Sequence, residues 1–240
     1  MTSPFQKAVE SAFKVFSRRN GASVTSDSLS ELRTNLNKVT KDELRIDPHV
    51  LEDKIPKEHE APVTYIRILE DKLMTIAVFV LRQGKSLPLH DHPGMFGLLK
   101  VIHGSVTIKT YTPLDPNKYP VPATLSETLA DKYGRNIPVY PSWYEGDKVC
   151  TETDDCCVIS PNNKNVHEII SESGTAAFLD VLSPPYNHKS MEDCRPCSYY
   201  KEISIDSKEP NIRYLVKIKS PPEYWCDEVD YYGPQLPLPS

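Results

Sequence analysis

Cysteine is scarce and unevenly placed: six in 240 residues, none before Cys150. The N-terminus also lacks the uninterrupted apolar core of a secretory signal, so the cysteines read as thiols in a reducing compartment rather than a disulfide framework. No apolar run reaches the roughly 18–20 residues needed to cross a bilayer. An excess of positive charge is missing as well. With 28 basic against 33 acidic residues the formal charge is −5, which gives no general case for nucleic acid or an anionic membrane. Short basic runs such as Ser17-Arg18-Arg19 read as a solvated helix end. A transit peptide would draw on Lys7, Lys14, Arg18 and Arg19, but Glu10 and the continuing helical pattern argue against one. No internal repeat is present. The expectation is a cytoplasmic, monomeric protein folded as one large domain over residues 1–240, for which 39% hydrophobic content supplies a substantial core.

The period of the apolar residues changes along the chain. Phe5, Val9, Ala12, Phe13 and Phe16 recur at helical spacing, and Gly21 stops that element. Ser28 followed by Glu31 suggests a capping box for a second helix carrying Leu29, Leu32, Leu36 and Val39. Thr40 and Glu43 suggest one more short turn, ended by Pro48. These N-terminal helices, residues 1–48, read as core-docking faces. From about residue 62 to 234 the period is two. Met74 to Leu81 is almost wholly apolar, as in a strand buried on both faces. Val106 with Ile108, Phe178 to Leu182, and Ile212, Tyr214, Val216 and Ile218 mark further strands, Leu215 interrupting the polar set of the last. Strands separated by turns predict a mainly β, antiparallel sandwich or barrel. Between about Tyr111 and Asp147, six prolines argue against a regular central strand, while Tyr119, Tyr133, Tyr140, Trp143 and Tyr144 argue against a disordered linker. An ordered, Pro/Tyr-rich insert packed over the barrel is expected there.

His90 and His92 stand two apart where a strand enters the turn at Pro93-Gly94. Alternation puts both imidazoles on one side and Asp91 on the other. Two imidazoles on one face supply two thirds of a facial metal site. A bare pair of this kind occurs by chance on many wet strands. Here Gly84, five residues, His90 and His92, then a glycine at Gly104, resemble the first motif of the cupins, a double-stranded β-helix or jelly-roll barrel. The acid of that motif is absent, and Gly97 stands in its place.

A third ligand must then come from elsewhere. His49 and His59 lie in a polar approach, His103 at a turn, and His188 in a loop after Pro184-Pro185. His167 follows a turn at Pro161-Asn162-Asn163, roughly as in the second cupin motif but one residue late, and is the expected third ligand. Glu168 beside it faces the other way on a strand. Three neutral imidazoles leave a divalent ion its full charge, which suits Fe(II) with a substrate that brings an anionic sulfur; zinc would also accept this set.

The chain resembles the thiol dioxygenases of the cysteamine dioxygenase and plant cysteine oxidase family. The residues that carry this are Leu87 to Met95, Asn165 to His167, Ala176 to Tyr186, Cys197 to Tyr200 and Tyr224 to Cys226. The resemblance implies one Fe(II) per chain at His90, His92 and His167. It implies addition of both atoms of O2 to the thiol of cysteamine or of an N-terminal cysteine, giving a sulfinic acid, with oxygen sensing as a consequence if peptides dominate. It places Asp180 and Tyr186 beside the substrate or dioxygen, and a thioether on Cys197 and Tyr199. Cys194 with Cys197 as half a structural zinc site is the competing use of those thiols. Other cupin chemistry, or a cupin that only binds a ligand or partner, are the rival functions.

Overall fold

The computed structural model describes residues 2–17, 24–52, 61–133, 137–188, 193–203 and 209–236. Gly21, His59, Arg18 and Arg19, named above, lie outside the described residues.

Four helices come first: α1 (Pro4–Phe16), α2 (Ser26–Leu36), α3 (Lys41–Leu44) and α4 (Pro48–Leu51). Ser3 and Gln6 form the capping box of α1, with Pro4 in the first turn. The box of α2 lies one turn earlier than expected. The Thr25 N–H donates to Ser28 Oγ at 2.9 Å and the Ser28 N–H to Thr25 Oγ1 at 3.2 Å. Glu31 is instead committed to Lys14 of α1 at 2.7 Å. Pro48 does not end α3, which stops at Arg45 in the left-handed region (φ 51°); it opens α4 behind the Asp47 cap. Phe5, Val9, Ala12, Leu29, Leu32 and Leu36 are buried against one side of the strand layer. Each such Phe, Val or Leu side chain contributes about 1.5–3 kcal/mol of hydrophobic stabilisation.

Among the described residues, twelve strands make two facing layers. One runs β12 (Cys226–Val229), β1 (Val63–Glu70), β2 (Thr75–Leu81), β9 (Ala176–Ser183), β4 (Phe96–His103), β7 (Cys157–Ile159). The other closes on itself in the order β10 (Tyr199–Ile203), β11 (Ile212–Ile218), β6 (Val139–Thr151), β5 (Ser105–Pro113), β8 (Val166–Ile170), β3 (Ser86–Asp91). This is the expected antiparallel barrel, except that the edge strand β12 pairs parallel with β1. Alternation along β2 and β9 assigns the two faces. Ile76, Val78 and Val80, with Ala177, Leu179 and Val181, meet the helices. Phe79, Leu81 and Phe178 meet the barrel interior. Leu215 breaks the polar set of β11 because it packs with Leu89, Tyr111 and Val166, a separate apolar cluster on the face of β3 and β8 away from the histidines.

The insert is shorter than the composition suggests. β5 reaches Pro113 and β6 begins at Val139. Pro141 is tolerated in β6 because it lies past the end of the β5 ladder, where its carbonyl accepts from Leu114 N at 2.9 Å. Within the insert, α5 (Ala123–Tyr133) packs Leu125 and Leu129 on the outward residues Ile212, Tyr214 and Val216 of β11. Among the described residues, no helix is long and apolar enough to cross a membrane.

Candidate metal centre

His90 and His167 are direct cross-strand partners on β3 and β8, and His92 follows the last residue of β3, its N–H donating to Asn165 O at 3.0 Å. The β3–β8 register slips between Leu87 and His90. Pro88 falls in that slip, where the ladder needs no N–H from it. After His92 the chain reverses at Gly94, whose φ of 69° favours glycine. The three rings converge with centroids 4.8 Å apart and are 1–7% exposed.

Hydrogen bonds settle two tautomers. His90 Nδ1 lies 2.8 Å from Pro88 O, a pure acceptor, so Nδ1 carries the proton. The Tyr186 hydroxyl donates to Asp91 O at 2.6 Å and lies 3.0 Å from His92 Nδ1, from which its oxygen accepts. In both rings Nε2 is then a free lone pair. His92 Nε2 faces His167 Nε2 at 3.0 Å. Two ligands at about 2.1 Å from one ion, at a right angle, stand about 3.0 Å apart, so the spacing fits a cation between them. Burial, reinforced by the neighbouring rings, holds His92 and His167 well below the usual histidine range, and burial lowers His90 too. Each shift favours the neutral imidazole, the form that can ligate. They are the one group of at least three His, Cys, Asp or Glu suited to a metal among the described residues.

The opposite wall is β9. Asp180 lines a cavity of about 90 Å³ with the three histidines, Phe79, Leu182 and Tyr186. Burial pushes its carboxyl up to about 7, against a backbone hydrogen bond from Val181 that lowers it. Among the described residues, no lysine or arginine lines this cavity. Asp180 also borders a cavity of about 390 Å³ that reaches His167 and one of about 210 Å³ that reaches Tyr65 and Glu70. The centre thus has an approach on each side. Gly97 shows why the motif acid is absent: a Cβ there would lie 2.7 Å from Ile159 Cγ1 and 2.9 Å from Leu182 Cδ2. The carboxylate comes instead from the neighbouring strand, two rungs along, where Leu99 pairs with Asp180.

Tyr186 lies tilted against His92, ring centroids 5.5 Å apart, and its hydroxyl is engaged with that imidazole rather than aimed into open space. Cys197 precedes β10, and Tyr199 begins it; both line the histidine cavity and interact with each other through their side chains. Tyr200 points away, its hydroxyl donating to Asp91 Oδ2 at 2.8 Å. Asp91 is the residue whose importance alternation alone did not reveal. Its other oxygen accepts from Ser198 N at 2.8 Å, so the residue between the two ligands ties β3 to the strand bearing Tyr199. Glu168 faces outward to Lys109 at 3.6 Å. His49 and His188 are exposed, and His103 is engaged with Lys41 at 3.1 Å, far from the ligands in the fold. Cys194 is exposed and joins no metal-binding group among the described residues, while Cys197 faces the histidines.

Known proteins resemble this chain to different degrees. A cupin superfamily protein from Desulfitobacterium hafniense is 12% identical with a TM-score of 0.33, covering 55% of this chain and 97% of its own. The 2-aminoethanethiol dioxygenase of Mus musculus is 34% identical over 88% of this chain and 85% of its own length. Its Homo sapiens counterpart is 32% identical over 88% and 82%. Plant cysteine oxidase 2 of Arabidopsis thaliana is 25% identical over 85% and 68%. The PCO_ADO family pattern matches residues 27–236, and the chain belongs to that family.

Proposed function

We propose that this thiol dioxygenase uses Fe(II) held by His90, His92 and His167, and that its substrates are thiols carrying a free amine, cysteamine and the N-terminal cysteine of peptides. The observation that carries the substrate class is the charge inside the cavity. Its one carboxylate, Asp180, faces three neutral imidazoles, and no cationic side chain lines the same space among the described residues. Such a wall attracts an ammonium group, while Arg33, Lys148 and Lys164 line the adjoining cavity of about 390 Å³ rather than this one. The metal supplies activation of O2 and binding of an anionic sulfur when bound.

The chain's own residues do the rest. Asp180 accepts a hydrogen bond from the substrate amine and holds it opposite the imidazoles. Tyr186 fixes the His92 ring and its tautomer, as outer partners of ligating histidines do. Phe79, Leu87, Ile169 and Leu182 exclude bulk water. Tyr199 and Cys197, which both line this cavity, are the pair for a thioether: the sulfur bonds a ring carbon of the tyrosine, the S–H and C–H hydrogens leave, and one dioxygen is reduced to hydrogen peroxide. Cys197→Ser removes that mass signature and leaves the fold intact; a signature that survives assigns the crosslink elsewhere. With peptide substrates, sulfinylation rates that track oxygen concentration would make the protein an oxygen sensor.

The direct test is anaerobic reconstitution with Fe(II), followed by mass spectrometry of cysteamine and of a short Cys-initiated peptide after O2 is admitted. A gain of two oxygens on either establishes the reading. No gain on either, with iron bound, overturns it.

A further inference from the structure

A second cluster of reactive side chains lies where β6 ends and β7 begins. Cys150 Sγ and Cys157 Sγ are 3.4 Å apart, with the Lys148 ammonium 3.9 Å from Cys157. Cys150 is buried at 2% exposure among Leu99, Val106 and Ile169, whereas Cys157 is half-buried and lines the cavity of about 390 Å³ that leads to His167 and Asp180.

The loop between them is pinned. Asp154 Oδ2 accepts from Thr151 N at 2.8 Å and from Thr151 Oγ1 at 2.7 Å, and Cys156 N donates to Asn37 Oδ1 at 2.8 Å. Cys156 itself turns to the core under the helices, away from the pair. The sulfurs need only close from 3.4 Å to the ~2.0 Å of a disulfide. Their roles differ by environment. A hydrogen bond from Cys150, then Lys148 and Lys164, brings the Cys157 thiol down to about 6 against the opposing effect of burial. The same hydrogen bond and burial push Cys150 up. Exposure to the cavity and the adjoining Lys148 make Cys157 the attacking thiol, and burial makes Cys150 the neighbour that closes on it.

We infer that Cys157 and Cys150 form a peroxide-responsive dithiol, closing to a disulfide in the wall of the approach to the metal centre. The thiolate of Cys157 attacks a hydroperoxide oxygen, the O–O bond breaks, and, with one proton from solvent, the products are a Cys157 sulfenic acid and the alcohol or water of the leaving group. The Cys150 sulfur then attacks the Cys157 sulfur, the S–OH bond breaks, and the Cys150 proton leaves with the hydroxide as water. Two thiols are oxidised by two electrons and one hydroperoxide is reduced. The step does not depend on which metal or substrate the histidine centre takes.

The experiment is treatment of the full chain with hydrogen peroxide, alkylation, trypsin and mass spectrometry. Val149 to Lys164 forms one tryptic peptide carrying Cys150, Cys156 and Cys157. The expected result is loss of two hydrogens and loss of alkylation at Cys150 and Cys157, with Cys156 alkylated as before and reversal by a thiol reductant. Cys156→Ser keeps the disulfide. Cys150→Ser abolishes it and leaves a sulfenic acid on Cys157 that dimedone traps. Lys148→Met raises the pH midpoint for alkylation of Cys157. A peptide with all three thiols still alkylated, while the exposed Cys194 and Cys226 are oxidised, overturns the inference. So does a disulfide that includes Cys156, or a Cys150→Ser chain with no adduct on Cys157.

Discussion

The strand pair that carries the imidazoles is irregular on either side of His90, whereas the β2–β9 ladder facing it is unbroken. β3 slips register between Leu87 and His90, holds a proline at the slip, and ends before His92. β2 and β9 pair without a shift from Thr75 with Leu182 to Leu81 with Ala176. Regular alternation can place one side chain inside the barrel, and Asp180 is placed so, between Phe178 and Leu182. Aiming three rings at one point takes more than alternation, and the slip and the Gly94 turn supply it. The walls differ in charge in the same way. One excludes protons from its imidazoles, and the other holds a proton on its carboxyl up to about 7.

Removing a ring should break the first wall completely. His90→Ala, His92→Ala or His167→Ala each loses bound iron and turnover, measured as metal content and oxygen uptake with cysteamine. Full activity in any one would take that residue out of the ligand set. Asp180→Asn tests the second wall: iron remains and turnover falls by about 10–100-fold.

That variant also has a signature without metal or substrate. In the apo-protein the folded Asp180 keeps its proton to about 7, while the unfolded chain releases it near ~3.9. Stability from this group therefore falls as pH rises through that window. The histidines act with the opposite sign. Unfolded imidazoles take up protons below ~6.5 while the buried ones resist, so stability falls as pH drops through that value. Thermal unfolding of apo wild type and Asp180→Asn between pH 5 and 8 separates the two, since the variant removes only the loss on the alkaline side. An unchanged profile would mean that Asp180 is ionised in the fold at all those pH values.

The difference between the walls also decides what the sequence could disclose. His90 and His92 are legible because a two-residue spacing on a strand has one geometric meaning, and Asp180 because a lone carboxylate in an apolar strand needs a reason. Phe79 lines the same cavity but is indistinguishable by type from the apolar residues around it in β2. The slip at Pro88 depends on which strand lies beside it, and no local pattern encodes that. Leu125 and Leu129 of α5 were hidden because prolines on either side dominate the composition, although the helix between them is regular. The α2 cap was displaced to Thr25 because Glu31, its expected partner, is drawn to Lys14 on another helix.

Tyr186→Phe keeps the ring beside His92 and deletes only the hydroxyl between Asp91 O and His92 Nδ1. It should weaken metal affinity by about tenfold, the low end for an outer partner of a ligand, with turnover at saturating iron closer to wild type. An iron titration separates this from a role on the substrate, which would lower turnover at every iron concentration.

The smallest effect belongs to the bond behind the ligating strand. Tyr200→Phe removes the hydroxyl from Asp91 Oδ2 but leaves Asp91 Oδ1 on Ser198 N. A hydrogen bond to a charged group contributes about 1.5–3 kcal/mol, and the half-buried position of Tyr200 puts its loss at the lower end of that range. Denaturant melts should register this change while metal content stays the same. If Tyr200→Phe also lowers iron affinity, the tie from Asp91 to β10 holds the ligands in place as well as the strands. The irregular wall would then depend on its outer side for its geometry, in a way the regular ladder opposite does not.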